Sequence, residues 1–374
     1  MDTVSVKEKR GLEPTVEAVR EALSGIEDPH MKKDLVAAGE VDEVIVDGDV
    51  ARIRIVLGYP AASWTSLLKS LVQERAVSVE GIQNVEVAIE TKIIGREITQ
   101  KDVSPIDGVR NMIAVASGKG GVGKSTVSVN LALALAAEGS RVGILDADIY
   151  GPSQPRMLGI GGQPKSPDGK SLEPMISHQL QAMSIGFLID EDTAMIWRGP
   201  MVTGALEQLL NDTLWDDLDY LVIDLPPGTG DIQLTLAQKV PVSGALIVTT
   251  PQDIALLDAK KAVKMFEKVR IPLLGIVENM STHICSNCGY EEHIFGEGGG
   301  RRMASEYEID YLGEIPLSRS IREGTDSGKP TMVSEPDGQL AGIYRAIARN
   351  VSGRLAARKR DYTDVFPSIV IQNS

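Results

Sequence analysis

Apolar runs alternate with stretches of helical spacing over most of the chain beyond residue 110. Each run is short and rich in Val, Ile, Leu and Ala, which predicts strands buried on both faces. The predicted strands are residues 112–116, 142–146, 220–224, 245–250 and 273–278. Strands separated by helices are typical of α/β folds with a doubly wound, mostly parallel sheet. We therefore predict that architecture for residues 111–350.

The first 100 residues follow a different pattern. Val16, Val19 and Leu23 have helical spacing, and a turn at Asp47-Gly48-Asp49 separates two alternating stretches. The predicted order is a helix at 14–24, strands at 41–46 and 50–57, a helix at 64–79 and a strand at 85–89. We predict a small α/β domain at 1–100, a linker at 101–110 and a separate C-terminal tail at 351–374.

A glycine-rich motif lies between the strand at 112–116 and an Ala- and Leu-rich helix at 127–137. It has the phosphate-binding P-loop pattern G-x-x-x-x-G-K-[ST]. Its residues are Gly118, Lys119, Gly120, Gly121, Val122, Gly123, Lys124, Ser125 and Thr126. The glycines allow backbone N–H groups to point inward at phosphates, with Lys124 on the outer phosphates and the Ser125 hydroxyl on Mg²⁺. The sequence thus predicts a site for a nucleotide with its magnesium ion.

Acidic and glycine residues follow two other predicted strands. Because ligands gather at the carboxyl ends of parallel strands, these residues are candidates for the same site. Asp224 ends an apolar strand and is expected to hold Mg²⁺, whereas Asp148 can orient the attacking water. Asp146 closes its strand beside this site, and a loop cap is the alternative role for it. Gly228 is expected to bring its N–H to the γ-phosphate and to release it after hydrolysis.

The chain has two cysteines, Cys285 and Cys288, in a C-x-x-C motif. Two thiolates on one tight turn can bind one metal centre, but they do not complete a tetrahedral zinc site or a Cys₄ cluster. The missing ligands could come from His283 and His293 or from a second subunit. A zinc knuckle and a redox-active disulfide are the alternatives.

Six motifs in order resemble the Mrp/ApbC family of ATP-binding iron–sulfur carriers, within the MinD/ParA-like deviant P-loop class. They are K-G-G-V-G-K-S-T, D-A-D-I-Y-G-P-S, W-R-G-P-M, D-L-P-P-G-T-G-D, E-N-M-S and C-S-N-C. The resemblance covers about residues 110–350. It implies ATP hydrolysis, a homodimer, and one [4Fe–4S] cluster bridged by two C-x-x-C pairs and transferred to apo iron–sulfur proteins, with assembly factors as further partners.

The resemblance also implies roles for single residues. Lys119 would reach the nucleotide of the partner subunit, although a solvated surface lysine is the alternative. Asp148 would activate water, and Asn279 would recognise the adenine base. Pro316 would lie in a second loop that contacts the base.

The N-terminal region resembles the small iron–sulfur assembly domain that often precedes the ATPase in this family. The stretch 60–64 lacks the cysteine commonly found there. We therefore expect a docking or recruitment module rather than a metal-handling domain.

Charge and hydropathy restrict the remaining function classes. Lys and Arg total 38 against 52 Asp and Glu, a formal net charge of -14, which argues against a general nucleic-acid binder. No apolar run has the length of a membrane span, so we expect a cytoplasmic protein without a membrane partner. Two alternatives stay open. One is a MinD/ParA-type positioning ATPase, for which the basic stretch 354–360 is short; the other is a zinc-bound, nucleotide-dependent scaffold.

Overall fold

The computed structural model describes residues 14–100, 103–188, 199–285 and 287–358. Trp197 and Arg198 of the W-R-G-P-M motif, Ser286 and the tail beyond Arg358 lie outside the described residues. The chain divides into two compact units, Met1–Ile93 and Ile94–Ser374.

The first unit is a three-stranded sheet with helices. Its elements are α1 (Val16–Leu23), β1 (Glu27–Asp28), β2 (Lys33–Asp34), β3 (Val41–Asp47), β4 (Val50–Leu57), α2 (Thr65–Val77) and β5 (Asn84–Thr91). β3 and β4 form an antiparallel hairpin that Asp47 and Val50 close, with Gly48 in the turn at φ +60°. β5 pairs parallel to β4 after the crossover through α2.

Alternation of side chains along β4 explains how this unit folds. Ala51, Ile53, Ile55 and Leu57 are buried, whereas the arginines between them are exposed. Because successive side chains of a strand point to opposite faces, the apolar set faces one core. The helices contribute Val19, Leu23, Leu68, Val72 and Ala76 to the buried side chains.

The second unit contains the larger sheet. Its strands are β6 (Val109–Ala116), β7 (Val142–Asp146), β8 (Met175–Ser177), β9 (Leu180–Ser184), β10 (Leu218–Asp224), β11 (Gly244–Thr249), β12 (Leu273–Ile284), β13 (Glu291–Glu292) and β14 (Tyr311–Leu317). Its helices are α3 (Lys124–Ala137), α4 (Gln154–Met157), α5 (Gly199–Asp212), α6 (Asp231–Lys239), α7 (Asp253–Val269), α8 (Gly299–Glu306), α9 (Arg319–Asp326), α10 (Thr331–Ser334) and α11 (Gln339–Ala356), with a 3₁₀ turn at Ile185–Phe187.

The nine strands follow the order β13-β12-β11-β6-β10-β7-β9-β8, with β14 also paired to β12. Only the pairs β8–β9 and β12–β13 among them are antiparallel. Every residue of β10 and β11 is buried, as expected for strands covered by helices on both faces. The predicted mostly parallel α/β class, preceded by a small α/β region, is confirmed.

The parallel register places the polar ends of several strands at one edge of the sheet. Asp224 of β10 lies opposite Asp146 of β7 and Val115 of β6. The P-loop begins just beyond this point, and α3 packs against β7 and β10. No helix within the described ranges is both long and apolar enough to cross a membrane.

Candidate functional site

The P-loop connects the end of β6 to the first residue of α3. Gly121 and Gly123 have φ values of +83° and +82°, in the left-handed region that glycine adopts without strain. A Cβ at position 123 would also lie 2.2 Å from Asn279 Nδ2. Glycine at 123 is therefore required by both its backbone angle and its close neighbour.

Lys124 and Asp224 form a buried ion pair below the loop. Lys124 Nζ donates to Asp224 Oδ1 at 2.5 Å, and the two residues are 5% and 0% exposed. The Ser128 hydroxyl donates to the same oxygen at 2.8 Å, and Gln154 Nε2 donates to Oδ2 at 3.0 Å. A carboxylate without solvent needs such partners, since an unpaired buried charge is costly. The predicted phosphate lysine and magnesium ligand are thus neighbours.

The residues at this point fit a magnesium ion. Ser125 supplies a hydroxyl 3.3 Å from Lys124 Nζ, and Asp224 supplies a carboxylate. Mg²⁺ prefers hard oxygen ligands and usually takes one or two protein groups beside water and phosphate. Gln154 adds a buried amide oxygen, Oε1, with no hydrogen-bond partner among the described residues.

Asp146 organises the loop that carries Asp148. Its Oδ2 accepts from the backbone N–H groups of Ser153 and Gln154 at 2.9 and 3.0 Å and from the Ser184 hydroxyl at 3.1 Å. Burial, followed by the charge of Asp224, raises the pKa of Asp146 to about 7. Asp146 therefore caps the loop. Asp148 is half-buried, and burial raises its pKa above the ordinary value.

The switch candidate Gly228 is tied to the start of the P-loop. Its φ is +102°, and its N–H donates to the Ser117 carbonyl at 3.0 Å. The Ser117 hydroxyl donates in turn to the Lys119 carbonyl at 2.9 Å. The Lys119 side chain is half-buried and has no hydrogen-bond or ion-pair partner in the part of the chain that the structure describes. Movement of Gly228 toward a phosphate would break its bond to Ser117.

Asn279 contacts the P-loop directly. Its Nδ2 donates to the Val122 carbonyl at 2.8 Å, and the residue is 7% exposed. Pro316 belongs to β14, which pairs with β12 so that Ile315 lies beside Asn279. Pro316, which the resemblance places in a loop, is therefore part of a strand.

The C-x-x-C motif lies at the tip of a β-hairpin. β12 extends to Ile284, six residues beyond the predicted end, and pairs with the short β13. Between them, Cys285 N–H donates to the Tyr290 carbonyl at 2.9 Å and Gly289 N–H to the Cys285 carbonyl at 2.8 Å. Both thiols are free; Cys285 is half-buried and Cys288 exposed.

Local donors favour the thiolate form of Cys285. Hydrogen bonds from the backbone N–H groups of Asn287 and Cys288, and from the Cys288 thiol, hold its pKa below the ordinary value. The thiolate is the form that binds metals.

The two histidines near the cysteines are directed to backbone groups. His283 Nδ1 lies 3.2 Å from the Leu317 carbonyl, and His293 Nδ1 lies 3.1 Å from the Ser281 carbonyl. Across the described residues, no group of three or more His, Cys, Asp or Glu side chains is placed to hold a metal ion. The hairpin therefore offers two thiols as an incomplete ligand set.

Sequence reasoning missed Ser128 and Gln154. Ser128 lies one helical turn after Lys124, a spacing that places both on one face of α3, so its contact with Asp224 was open to prediction. Gln154 is 70 positions from Asp224 in the chain, and only the folded sheet brings the two side chains together.

Comparison with known families agrees with this geometry. Residues 108–352 match the ParA family model, described as NUBPL iron-transfer P-loop NTPase, and residues 16–89 match that of the iron-sulfur cluster assembly protein family. The chain belongs to the ParA family of iron-transfer P-loop NTPases, so the predicted resemblance is confirmed.

Individual relatives resemble most of the chain. It is 51% identical over 338 residues to the iron-sulfur cluster carrier protein of Haemophilus influenzae, covering 90% of this chain and 91% of the relative. It is 50% identical over 267 residues to the iron-sulfur cluster transfer protein NUBPL of Mus musculus, covering 71% and 83%. The nucleotide-binding protein of Archaeoglobus fulgidus, solved with ADP, is 40% identical with a TM-score of 0.55, covering 64% of this chain and 93% of that one.

Proposed function

We propose that this protein is an ATP-hydrolysing carrier that binds a [4Fe–4S] cluster between two copies of itself and delivers it to apo iron–sulfur proteins. The observation that carries the proposal is the C-x-x-C hairpin, whose first strand also contributes Asn279 to the P-loop site. The names of the relatives, an iron–sulfur cluster carrier and a cluster transfer protein, support it.

The cluster needs more ligands than one chain presents. A [4Fe–4S] cluster is usually held by four cysteine thiolates, and this chain has two. A two-fold axis through the hairpin tip would bring together Cys285 and Cys288 from each subunit. The exposure of Cys288 and the lowered pKa of the Cys285 thiol suit a site that is completed by a second surface.

The P-loop residues would bind and hydrolyse ATP. The glycine-rich loop and Lys124 hold the phosphates, while Ser125 and Asp224, the latter through water, would hold Mg²⁺, which neutralises charge on the phosphates. Asp148 orients the attacking water. Lys119 of the second subunit supplies a cation near the γ-phosphate, as an arginine finger does in other NTPases. Gly228 responds to the γ-phosphate by leaving Ser117.

The base would be held at the end of β12. Because Asn279 Nδ2 donates to the Val122 carbonyl, its Oδ1 is the atom that would accept a hydrogen bond from an amino group. Adenine carries such a group at N6. Pro316 lies beside this position on β14 and would contact the base. The small N-terminal unit would recruit acceptor or assembly proteins, since its stretch 60–64 lacks cysteine.

Anaerobic reconstitution with iron and sulfide tests the carrier function. We expect about four iron atoms per dimer and transfer of the cluster to an apo-protein that requires one. The measurements are iron and sulfide counts, absorption spectra and activity of the acceptor. Stoichiometric zinc without iron uptake would contradict the proposal and would indicate a zinc-bound scaffold.

Asp148→Asn tests the hydrolytic role. The amide keeps the size of the side chain but cannot orient water as the carboxylate does, so we expect ATP binding to persist while hydrolysis falls by about 100-fold or more. Asp337→Asn, at an exposed position on the same unit, is the matched control. Hydrolysis by Asp148→Asn at the wild-type rate would remove Asp148 from the mechanism.

A further inference from the structure

Gln154 links three elements at the nucleotide edge of the sheet. It is the first residue of α4 and is 1% exposed. Its backbone N–H donates to Asp146 Oδ2 at 3.0 Å. Its side-chain Nε2 donates to Asp224 Oδ2 at 3.0 Å and to the Ser125 carbonyl at 3.2 Å. One residue therefore contacts the ends of β7 and β10 and the first turn of α3.

The orientation of the Gln154 amide follows from its partners. The nitrogen faces a carboxylate and a carbonyl, which are both acceptors, so the amide oxygen must occupy the other position. That oxygen, Oε1, is buried without a hydrogen-bond partner among the described residues. Buried amide oxygens are almost always paired, so an open one points to a donor that arrives with a ligand.

We propose that Gln154 is a positioning residue for the magnesium ion of the nucleotide site. Its Nε2 fixes the orientation of the Asp224 carboxylate, and its Oε1 accepts a hydrogen bond from water that the ion retains. Mg²⁺ gives up its water reluctantly, and the groups that hold its ligands and waters strongly affect its affinity. This inference rests on the proposed nucleotide site and is independent of the cysteine pair.

The bonds of Gln154 separate its role from that of the phosphate-binding groups. Lys124 and the loop amides would bind phosphate without the metal, whereas the Gln154 N–H groups donate to Asp146, Ser125 and Asp224. Its loss should weaken the contribution of magnesium and spare the binding of the bare nucleotide.

Gln154→Met is the main test, because methionine is similar in length and volume but has no amide. Gln238→Met, at an exposed position on α6, is the matched control. ADP affinity of the full chain is measured by calorimetry in EDTA and across a magnesium titration. In Gln154→Met we expect the ADP affinity measured in EDTA to change by less than about twofold. The magnesium concentration that gives half of the maximal increase in ADP affinity should rise about tenfold, and in Gln154→Met only.

Gln154→Asn is a second variant in case Gln154→Met does not fold, since it keeps the amide but is too short to reach both partners. The same shift in magnesium dependence is expected. An unchanged magnesium dependence in both variants would overturn the inference. So would an equal loss of ADP affinity with and without magnesium, which would indicate a purely structural role. A wild-type chain that binds no ADP would instead overturn the proposed nucleotide site, and this inference with it.

Discussion

The nucleotide edge and the cysteine hairpin differ in how completely their polar groups are paired. At the nucleotide edge, the buried Asp224 carboxylate accepts from Lys124, Ser128 and Gln154. At the hairpin, Cys288 is exposed, and so are apolar neighbours: Ile284 is 50% exposed and Tyr290 is 65% exposed. The groups that hold the Asp224 carboxylate belong to this chain, whereas the hairpin has an open surface.

The difference indicates where a partner is needed. A site for a small ligand binds more tightly when its groups are already in place, because ordering them on binding would cost free energy. Exposed apolar side chains beside a functional site mark a surface that another protein covers. The exposed side chains at the hairpin therefore support the proposed dimer.

The strand β12 joins the two regions. Asn279 contacts the P-loop, and Cys285 follows directly after the end of the strand. Between them Met280 has a φ of +57°, and the pairing of β12 with β14 shifts register after Asn279. A non-glycine residue in the left-handed region is uncommon and locally strained. The strand is thus irregular at the point where the nucleotide edge ends.

Cys285→Ala should separate cluster binding from ATP binding most clearly. We expect complete loss of the reconstituted cluster, because a dimer would retain two of its four thiolates, and ATP affinity within about twofold of wild type. Iron counting and nucleotide titration measure both effects. Asn287→Ala, which keeps the backbone N–H that faces Cys285, is the control. A full cluster on Cys285→Ala would contradict the bridged arrangement.

Lys119→Ala tests whether the nucleotide edge also depends on a second chain. A cation supplied in trans is expected to contribute about 10³-fold to the hydrolysis rate. Mixed dimers of Lys119→Ala with Lys124→Ala should then recover part of the activity, since one of the two sites retains a complete set of residues. Steady-state hydrolysis across protein concentration measures this. An unchanged rate at every concentration would make Lys119 a surface lysine.

Glu40 in the N-terminal unit provides a contrast to the fully paired Asp224. It is 2% exposed, and its neighbour is another carboxyl group, that of Asp28, rather than a cation. Burial, followed by the charge of Asp28, raises its pKa to about 9. Folded Glu40 therefore keeps its proton between its ordinary value and about 9, whereas the unfolded chain releases it. Because the folded state binds more protons there, the stability of this unit falls as the pH rises through that window.

Glu40→Gln should reduce the loss of stability with rising pH, because the neutral amide has no proton to lose. We expect the free energy of unfolding of the variant to exceed that of wild type by about 1–3 kcal/mol near pH 8 and to differ little from it near pH 4. Hydrogen exchange of peptides from β3 and β4 in the full chain measures the local stability. Glu43→Gln, at an exposed position, is the control. Equal pH dependence in wild type and Glu40→Gln would show that Glu40 is ionised in the fold.

The smallest expected effect concerns the connection through β12. Met280→Val disfavours the left-handed conformation, because a β-branched residue there costs about 1–3 kcal/mol. We expect ATP to change the rate at which the cluster is released to an acceptor, and we expect Met280→Val to reduce this change several-fold while the cluster content stays the same. Met280→Gly, which adopts positive φ freely, should retain more of the effect. If Met280→Val responds to ATP as wild type does, the left-handed conformation of Met280 is not part of the connection.

The sequence by itself determined the elements whose signals are local. The P-loop lies between a buried strand and a helix, as predicted, because an apolar run and a glycine-rich motif are adjacent in the chain. The hairpin in the N-terminal unit also has its predicted position, with strands at Val41–Asp47 and Val50–Leu57, because alternation and the Asp-Gly turn specify it locally.

The tertiary structure decided the contacts between distant segments. The 12 residues of β12 exceed the predicted strand because β14 pairs with it as far as His283 and β13 pairs with His283 and Ile284. Pro316 is in a strand for the same reason. Gln154 meets Asp224 only because β7 and β10 are parallel neighbours. Strand order and side-chain convergence depend on packing across the whole sheet, and no local pattern of residues encodes them.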